Sequence, residues 1–247
     1  MYPVNPCWIM IFVLSGLTGV SLVRADFAAD LARTHVEAIA GRGRLQELKA
    51  LRATGFTRIQ GKELRFVMWA ERPNRVRTET TSAGRVLTQG YDGVNLPWVL
   101  DSKTGEVVEM GAEAAREFSA DADFDDPLVA MGSRTISLDY AGKTEIDGRP
   151  VFKLLVTQNF TESSFVYLDN KTYFIIRRDI TKVRGGVSET VETYYSDFSS
   201  MNGIILPHRI VEKAAGRLRH ETVLEFVEAN PSIMPGFFGR PVATVKP

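Results

Sequence analysis

The chain has three histidines, the residue type most often used for acid–base and metal chemistry near neutral pH. His35, His208 and His220 are scattered, and no two of them have the spacing that places a metal-binding pair on one helix face. No serine stands in the glycine-flanked turn that exposes a catalytic nucleophile. We therefore interpret each histidine as a surface or packing residue, and we expect no catalytic activity, no metal site and no cofactor.

One acidic run is the remaining candidate for chemistry. Residues 121–126 are Asp-Ala-Asp-Phe-Asp-Asp, and clustered oxygen ligands are what a hard cation such as Ca²⁺ requires. The run lacks the glycine and the terminal glutamate of an EF-hand loop. This pattern favours a solvated loop over a calcium site.

Composition is that of an ordinary globular protein. The 247 residues are 44% hydrophobic and 24% charged, with 30 basic and 30 acidic side chains. Removal of the first 25 residues takes away one base, Arg24, and no acid, which leaves a net charge of −1. A nearly neutral chain has no electrostatic reason to bind nucleic acid.

The first 25 residues differ from the rest. Residues 8–23 are uncharged and rich in Ile, Val, Leu and Phe, and they end at Val23-Arg24-Ala25, which suits signal peptidase. We predict a cleaved signal peptide over residues 1–25 and one domain over residues 26–247. The alternative is an uncleaved N-terminal membrane anchor, because no Lys or Arg precedes the apolar run and about 16 residues is near the short limit for a span. The only cysteine, Cys7, lies in this leader, so the mature chain forms no disulfide.

Helical periodicity covers the beginning of the mature chain. Apolar residues in residues 26–53 recur at helical spacing, and Gly41-Arg42-Gly43 divides the segment in two. The pattern predicts a helix, a glycine turn and a second helix that ends near Gly55. The stripe can serve as core packing, and it can also line a cavity if the helix covers one.

The periodicity then changes to two. In residues 62–70, Leu64, Phe66, Met68 and Ala70 alternate with the other face, as in a half-buried antiparallel strand. Further strands are predicted at residues 75–80, 85–91, 136–140, 152–156, 164–168, 173–179, 187–195, 204–212 and 222–227. About ten or eleven strands joined by tight turns indicate one large antiparallel meander, of the α+β class, that coils into a barrel or an open half-barrel.

An insertion interrupts this meander midway, over residues 109–133. It contains a predicted helix over residues 112–118, the acidic run, and a second short helical segment over residues 127–131. We expect the insertion to lie across the mouth of the sheet as a lid.

Six short motifs occur in order along the mature chain. They are His35-Val36-Glu37-Ala38, Thr54-Gly55-Phe56, residues 69–77 with Arg72-Pro73-Asn74, Tyr91-Asp92-Gly93 followed by Trp98, Tyr167-Leu168-Asp169, and Ser196-Asp197-Phe198 with residues 203–207. In this order and spacing the chain resembles the LolA/LolB-like superfamily, and the resemblance covers nearly all of residues 26–247.

The resemblance implies an open, incomplete β-barrel whose apolar concave face is covered by N-terminal helices and a short helical lid. Members carry lipoprotein acyl chains through the periplasm from an inner-membrane donor complex to an outer-membrane acceptor. By this resemblance we expect a monomeric periplasmic carrier of lipoprotein acyl chains or lipid. Arg72 matches the family's arginine that hydrogen-bonds to the covering helices, which implies a lid latch.

Eight apolar positions are predicted to line the lipid cavity. They are Leu64, Phe66, Met68, Val76, Trp98, Leu138, Leu154 and Val156. Sequence alone leaves the inward face open, because a one-residue slip of register exchanges the two faces of a strand. The alternative is an ordinary filled core, which corresponds to a non-catalytic structural or interaction protein of the cell envelope that reuses the fold.

Overall fold

The computed structural model describes residues 19–131, 136–159, 162–184 and 186–241. Cys7 and most of the predicted signal peptide lie outside the described residues, and the cleavage site stays a prediction. Within the described part of the chain, no helix is both long and apolar enough to cross a bilayer.

Thirteen strands form a single antiparallel sheet. They are β1 Ala50–Ile59, β2 Lys62–Glu71, β3 Arg75–Ser82, β4 Arg85–Tyr91, β5 Trp98–Asp101, β6 Val107–Glu109, β7 Ile136–Ile146, β8 Arg149–Gln158, β9 Glu162–Asp169, β10 Ile175–Arg184, β11 Val187–Met201, β12 Ile204–Ala214 and β13 Arg217–Ala229. Their order is β6-β5-β4-β3-β2-β1-β13-β12-β11-β10-β9-β8-β7, so β6 and β7 are the two edges. The sheet is not closed. It forms an open half-barrel, and the predicted α+β meander is confirmed.

The pairing of β1 with β13 joins the two halves of the meander. At this junction the register shifts between Thr54 and Gly55. A side chain at Gly55 would place its Cβ only 1.9 Å from the carbonyl oxygen of Val223. Glycine is needed here because the two backbones approach too closely for any other residue.

Three helices accompany the sheet: α1 Gly19–Ile39, α2 Arg42–Glu47 and α3 Ala112–Asp121. Gly41 separates α1 from α2 with a φ of 77°, a conformation that glycine adopts without strain. The prediction that the second helix continues to Gly55 is wrong, because α2 ends at Glu47 and β1 begins at Ala50. Residues 50–53 are good helix formers, but pairing with β2 and β13 overrides that local preference.

Helix α1 packs on one face of the sheet, which we call the helix face. Under Ala28, Leu31 and Ala32 of α1 lies a core of buried side chains that includes Leu154 of β8 and Val166 of β9. Further along α1, Val36 and Ile39 join Leu45 of α2 and the β11–β12 hairpin in a second cluster. The helices are therefore fixed to the sheet mainly by apolar burial, at roughly 25 cal/mol per Å² of apolar surface.

The opposite face, which we call the tail face, is crossed by the C-terminal tail, residues 231–241. Phe237 packs edge-on against Trp69 with ring centroids 5.1 Å apart. Arg77 donates a hydrogen bond to the carbonyl oxygen of Phe237 at 3.2 Å and lies over its ring. The tail thus packs on this face from β2 to β6, where Arg240 donates hydrogen bonds to Glu109 and to the carbonyl oxygen of Val107.

Candidate functional site

Seven of the eight predicted cavity residues lie on the helix face. Leu51 pairs with Ala70 of β2 and with Ala229 of β13, and both Leu51 and Ala229 pack against the cluster that contains α2. Alternation along β2 then places Leu64, Phe66 and Met68 on this same face. The remaining four are Val76, which pairs with Ala70, and Leu138, Leu154 and Val156, which belong to the core under α1.

Trp98 departs from the prediction, because it lies on the tail face. The register runs from Trp69 through Arg77 and Gly90 to Trp98, which are directly opposite one another on successive strands. The indole is 1% exposed, and its Nε1–H donates to the carbonyl oxygen of Phe238 at 3.0 Å. Trp98 therefore anchors the C-terminal tail and does not share a face with the other seven residues.

The helix face is filled at one side and half open at the other. Leu154 and Val156 are completely buried beneath α1. Leu64, Phe66 and Met68 are only half-buried and belong to none of the apolar clusters formed by the described residues. We call these three side chains the β2 strip. They are apolar surface that the protein's own core leaves partly exposed.

Arg72 lies in the turn between β2 and β3 and links this turn to α2 and to the acidic run. Its Nη1 donates to the carbonyl oxygens of Leu45, at 2.6 Å, and Leu48 at the end of α2. Its Nε and Nη2 form a two-pronged pair with the carboxylate of Asp125 at 2.8 and 2.5 Å. The guanidinium also lies over the ring of Phe124, 4.7 Å from its centroid. One planar fork thus holds α2 and the acidic run together.

His35 makes a second link between a helix and the acidic run. The side chain is 3% exposed, with Nδ1 2.8 Å from the carbonyl oxygen of Tyr173 and Nε2 3.3 Å from Oδ2 of Asp126. Both ring nitrogens face acceptors, and imidazole donates from both only when it is protonated. Burial lowers the pKa of His35, but the charge and hydrogen bond of Asp126 and the carbonyl of Tyr173 outweigh burial, so the pKa lies above 6.5.

The pKa of Asp126 is shifted in the opposite direction, below its ordinary value. Burial raises the pKa of this carboxyl, but the charge and hydrogen bond of His35 and the backbone N–H groups of Val129 and Leu128 hold it below 3.8. The same N–H groups donate to Oδ1 at 3.1 and 2.8 Å. The carboxylate therefore orders the turn of residues 127–131, which is the segment predicted to be helical, and at the same time pairs with α1.

Asp121, the first residue of the acidic run, contacts the sheet. Its carboxylate lies 3.4 Å from Nζ of Lys182 on β10. Asp121, Asp125 and Asp126 thus pair with Lys182 on β10, Arg72 in the β2–β3 turn and His35 on α1, respectively. We call these three pairs the lid fasteners. Among the described residues no group of three or more metal-ligating side chains is assembled.

The position of His35 in the sequence indicated that it is buried with polar partners, although its spacing from the other histidines gave no sign of a site. Leu31, His35 and Ile39 follow one another at steps of four and occupy the apolar stripe of α1. A titratable residue in such a stripe is buried, and a buried polar group needs partners. Its partner Asp126 is 91 residues away, and only the fold brings the two together.

A cavity of about 390 Å³ lies where α1, α2 and the acidic run meet. Its lining residues are Val36, Arg42, Leu45, Gln46, Lys49, Arg72, Asp125, Val129 and Met131. A second cavity of about 310 Å³ is lined mainly by tail-face side chains at the far ends of β1 to β4. Of the eight predicted cavity residues only Phe66 lines either of these two cavities, and Arg72, the predicted latch, lines the first. The first cavity is the size of a small-ligand site.

Attachment of the lid is expected to depend on pH through His35. Because the pKa of His35 in the folded protein is above its unfolded value of 6.5, its contribution is complete below pH 6.5 and is lost as pH rises through the folded pKa. For Asp126, whose pKa is lowered, the contribution is present above pH 3.8 and is lost as pH falls through the folded pKa. Hydrogen exchange of residues 122–131, corrected for its intrinsic pH dependence, should rise on both sides of this window.

The His35→Gln variant should remove the alkaline part of this pH dependence. His220→Gln is the matched control, because His220 is 33% exposed and its ion pair, at 3.9 Å, is with Glu212 and not with the acidic run. Equal alkaline exchange profiles for the wild type and His35→Gln would contradict the assigned role of the His35–Asp126 pair.

Comparison with known proteins rests on structure. No protein-family model and no curated protein matches the sequence. Among solved structures, a protein from Vibrio parahaemolyticus described as an outer membrane lipoprotein-sorting protein domain has a TM-score of 0.61 at 10% identity, covering 87% of this chain and 97% of that one. A DUF1329 family protein from Desulfovibrio piger has a TM-score of 0.59 at 13% identity, covering 87% and 97%. A LolA superfamily protein from Nitrosomonas europaea has a TM-score of 0.56 at 12% identity, covering 86% and 98%.

The class defined by the open sheet and its covering helices is therefore the LolA-like fold. The predicted resemblance is confirmed at the level of the fold. Identities of 10–13% carry the architecture over to this chain and leave cargo and partners to be argued from its own residues.

Proposed function

We propose that this chain is a non-catalytic periplasmic carrier that holds acyl chains of lipoproteins or lipids between its helices and the half-barrel. In this proposal the protein is exported by a cleaved signal peptide and acts as a monomer. It receives cargo from an inner-membrane donor complex and delivers it towards an outer-membrane acceptor. It contains no glycine-rich nucleotide loop of its own, so any energy input comes from its membrane partners.

The observation that carries the proposal is the β2 strip. Leu64, Phe66 and Met68 form a row of large apolar side chains on the helix face that the core does not enclose. Burial of an acyl chain against such a row is favourable by about 0.8 kcal/mol per methylene. A carrier requires a partly open apolar surface of this kind on the face that its helices cover.

The lid fasteners agree with a cavity that opens when the acidic run moves away from the sheet. Apolar packing holds α1 and Leu45 of α2, and the acidic run is held in addition by ion pairs and hydrogen bonds to Arg72, His35 and Lys182. Polar links of this kind exchange with water at moderate cost, so the acidic run can separate while the strands stay paired, and Leu128 leaves its buried position under α1 as it does so. A solved structure of the same fold is described as a lipoprotein-sorting protein domain, which agrees with this use.

A second candidate is a structural or interaction protein of the cell envelope. The complete burial of Leu154 and Val156 under α1 favours it, because this part of the interior is already filled. Each of the two cavities described above holds less than a whole multi-acyl lipid, so carriage requires the lid to move. The two candidates differ in whether added lipid enters the protein at all.

Uptake of a fluorescent fatty acid tests the proposal. The purified mature protein is expected to bind it, and Met68→Glu should weaken binding by at least about tenfold, because a carboxylate on the β2 strip must be desolvated against the acyl chain. Fluorescence titration measures the affinity. Native mass spectrometry of protein from a bacterial host should also show co-purified lipid or lipoprotein.

Val67→Glu is the matched control, since Val67 is the next residue of the same strand and points to the tail face. Its affinity for the fatty acid should stay within about twofold of the wild type, since the acyl chain lies on the other face. Failure of the folded wild-type protein to take up the fatty acid, together with the absence of co-purified lipid, would favour the structural candidate.

A further inference from the structure

The cavity between α1, α2 and the acidic run has two unlike walls. Val36, Leu45, Val129 and Met131 supply an apolar wall. The polar part of the lining comes from α2 and the segment after it: Arg42, Gln46 and Lys49, all three of which are exposed. A cavity lined by apolar and by cationic side chains suits an amphiphile, which has a hydrocarbon part and an anionic part.

We infer that this cavity binds the anionic head group of an amphiphile, a carboxylate or a phosphate, against Arg42 and Lys49, with the adjoining hydrocarbon on the apolar wall. The inference rests on the proposed function and deepens it, because it names the chemical class of the cargo. Neutral acylglycerols, in contrast, lack the group that the cationic wall selects.

The charges of the lining are not balanced. Arg72 and Asp125 neutralise each other through their two-pronged pair. Arg42 and Lys49 remain, and no carboxylate of the described residues lies within 4.0 Å of either cation. The only hydrogen bond of the Lys49 ammonium shown among the described residues goes to the carbonyl oxygen of Gln46 at 2.5 Å, which leaves donors available.

The second cavity shows what a compensated lining looks like. There the only cation of the lining, Arg65, is paired with Glu225 at 2.6 Å, and Glu79 is paired with Arg77 at 2.8 Å. The uncompensated positive charge is thus particular to the cavity on the helix side. Arg42 and Lys49 are exposed at the rim of the cavity, where a guanidinium and an ammonium can form charge-assisted hydrogen bonds with an anion, which are stronger than neutral ones.

Three ligands with the same oleyl chain test the inference: oleate, oleyl phosphate and oleyl alcohol. Binding to the mature protein is measured by calorimetry or by displacement of a fluorescent fatty acid, below the critical micelle concentration. We expect the wild type to bind the two anions about tenfold or more tightly than the alcohol. The difference should shrink as ionic strength rises. The ratio of oleate to oleyl phosphate shows whether the source is a fatty acid or a phosphate head group.

The Arg42→Glu/Lys49→Glu variant should lose about tenfold or more in affinity for both anions and change little for oleyl alcohol. Arg44→Glu is the control, because Arg44 lies on the same helix but its guanidinium approaches Gly203 on the β11–β12 turn and does not line the cavity. The control should keep wild-type preference for anions, and circular dichroism verifies that each variant is folded.

Two results would overturn the inference. Equal affinities of the wild type for oleate, oleyl phosphate and oleyl alcohol would leave the carrier function standing and remove the head-group site. An equal loss of affinity for all three ligands in the Arg42→Glu/Lys49→Glu variant would have the same consequence. Absence of binding for all three ligands would instead remove the proposed function itself, and the inference with it.

Discussion

Replacement of Arg72 with alanine is expected to destabilise the attachment of the lid by about 3 kcal/mol. Arg72 and Asp125 are 21% and 24% exposed, so the pair is mostly desolvated, and removal of the guanidinium leaves a carboxylate and two helix-end carbonyls without their donor. The value lies at the lower end of the range for a buried pair that loses one member, because water still reaches part of it. Hydrogen exchange of α2 and of residues 122–131 should speed up much more than that of β8 and β9.

Two further substitutions separate the shape of Arg72 from its charge. Arg72→Lys keeps the positive charge but loses the planar fork, so it should recover only part of the protection from exchange. Arg75→Ala is the matched control, since Arg75 stands in the same turn and makes an exposed pair with Glu71 at 2.8 Å. An exposed pair contributes about 0–1 kcal/mol, so this variant should resemble the wild type.

The Arg72→Ala variant also tests the role of the latch in lipid uptake. If Arg72 acts as a latch, Arg72→Ala should take up fluorescent fatty acid faster than the wild type, because the closed lid becomes less populated. Unchanged exchange in α2 and the acidic run would show that the contacts of Arg72 contribute nothing to closure. Faster exchange with unchanged uptake would show that the lid is held by Arg72 but does not control entry.

Much of the fold could be predicted because the sheet is a meander of hairpins. Consecutive strands pair with each other, except β6 and β7, which are the two edges, and the only pairing out of sequence order among the described strands is that of β1 with β13. Alternation and turn residues along the chain were therefore sufficient. The alternation in residues 62–70 placed Leu64, Phe66 and Met68 on one face, as the structure has them. The short strands β5 and β6 were missed, because three or four residues give too little alternation to recognise.

The start of β1 was beyond the reach of local pattern. Residues 50–53 have helical propensity, and only their partners on β2 and β13 make them a strand. The β13 partners of these residues are more than 170 positions away in the sequence. Local propensity is a weak preference that long-range pairing overrides, and the second helix was predicted too long for this reason.

The candidate site was predictable in type but not in its connections. The motif around Arg72 pointed to a latch, and the structure supplies contacts to α2 and Asp125 that suit one. The acidic run looked like a solvated loop because its partners Arg72, His35 and Lys182 are distant in sequence. Ion pairs across a fold have no periodicity, so a sequence does not show them.

Replacement of Trp98 with alanine is expected to cost about 3–5 kcal/mol of folding stability without changing lipid affinity. The indole is almost completely buried, and its loss leaves a cavity and takes the donor from the carbonyl oxygen of Phe238. Urea denaturation measures the loss. Trp98→Phe should retain part of the packing and still lack the hydrogen bond, so its stability should fall between those of the wild type and Trp98→Ala.

Gly90→Ala probes the same contact from the neighbouring strand. A Cβ at Gly90 would lie 2.3 Å from Cζ2 of Trp98, so the ring must shift, at a cost of about 1–3 kcal/mol. Because this contact is on the tail face and the β2 strip is on the helix face, both variants should bind fluorescent fatty acid with wild-type affinity while folded. A loss of affinity as large as that expected for Met68→Glu would place Trp98 at the lipid after all, as its inclusion among the eight predicted cavity residues implied.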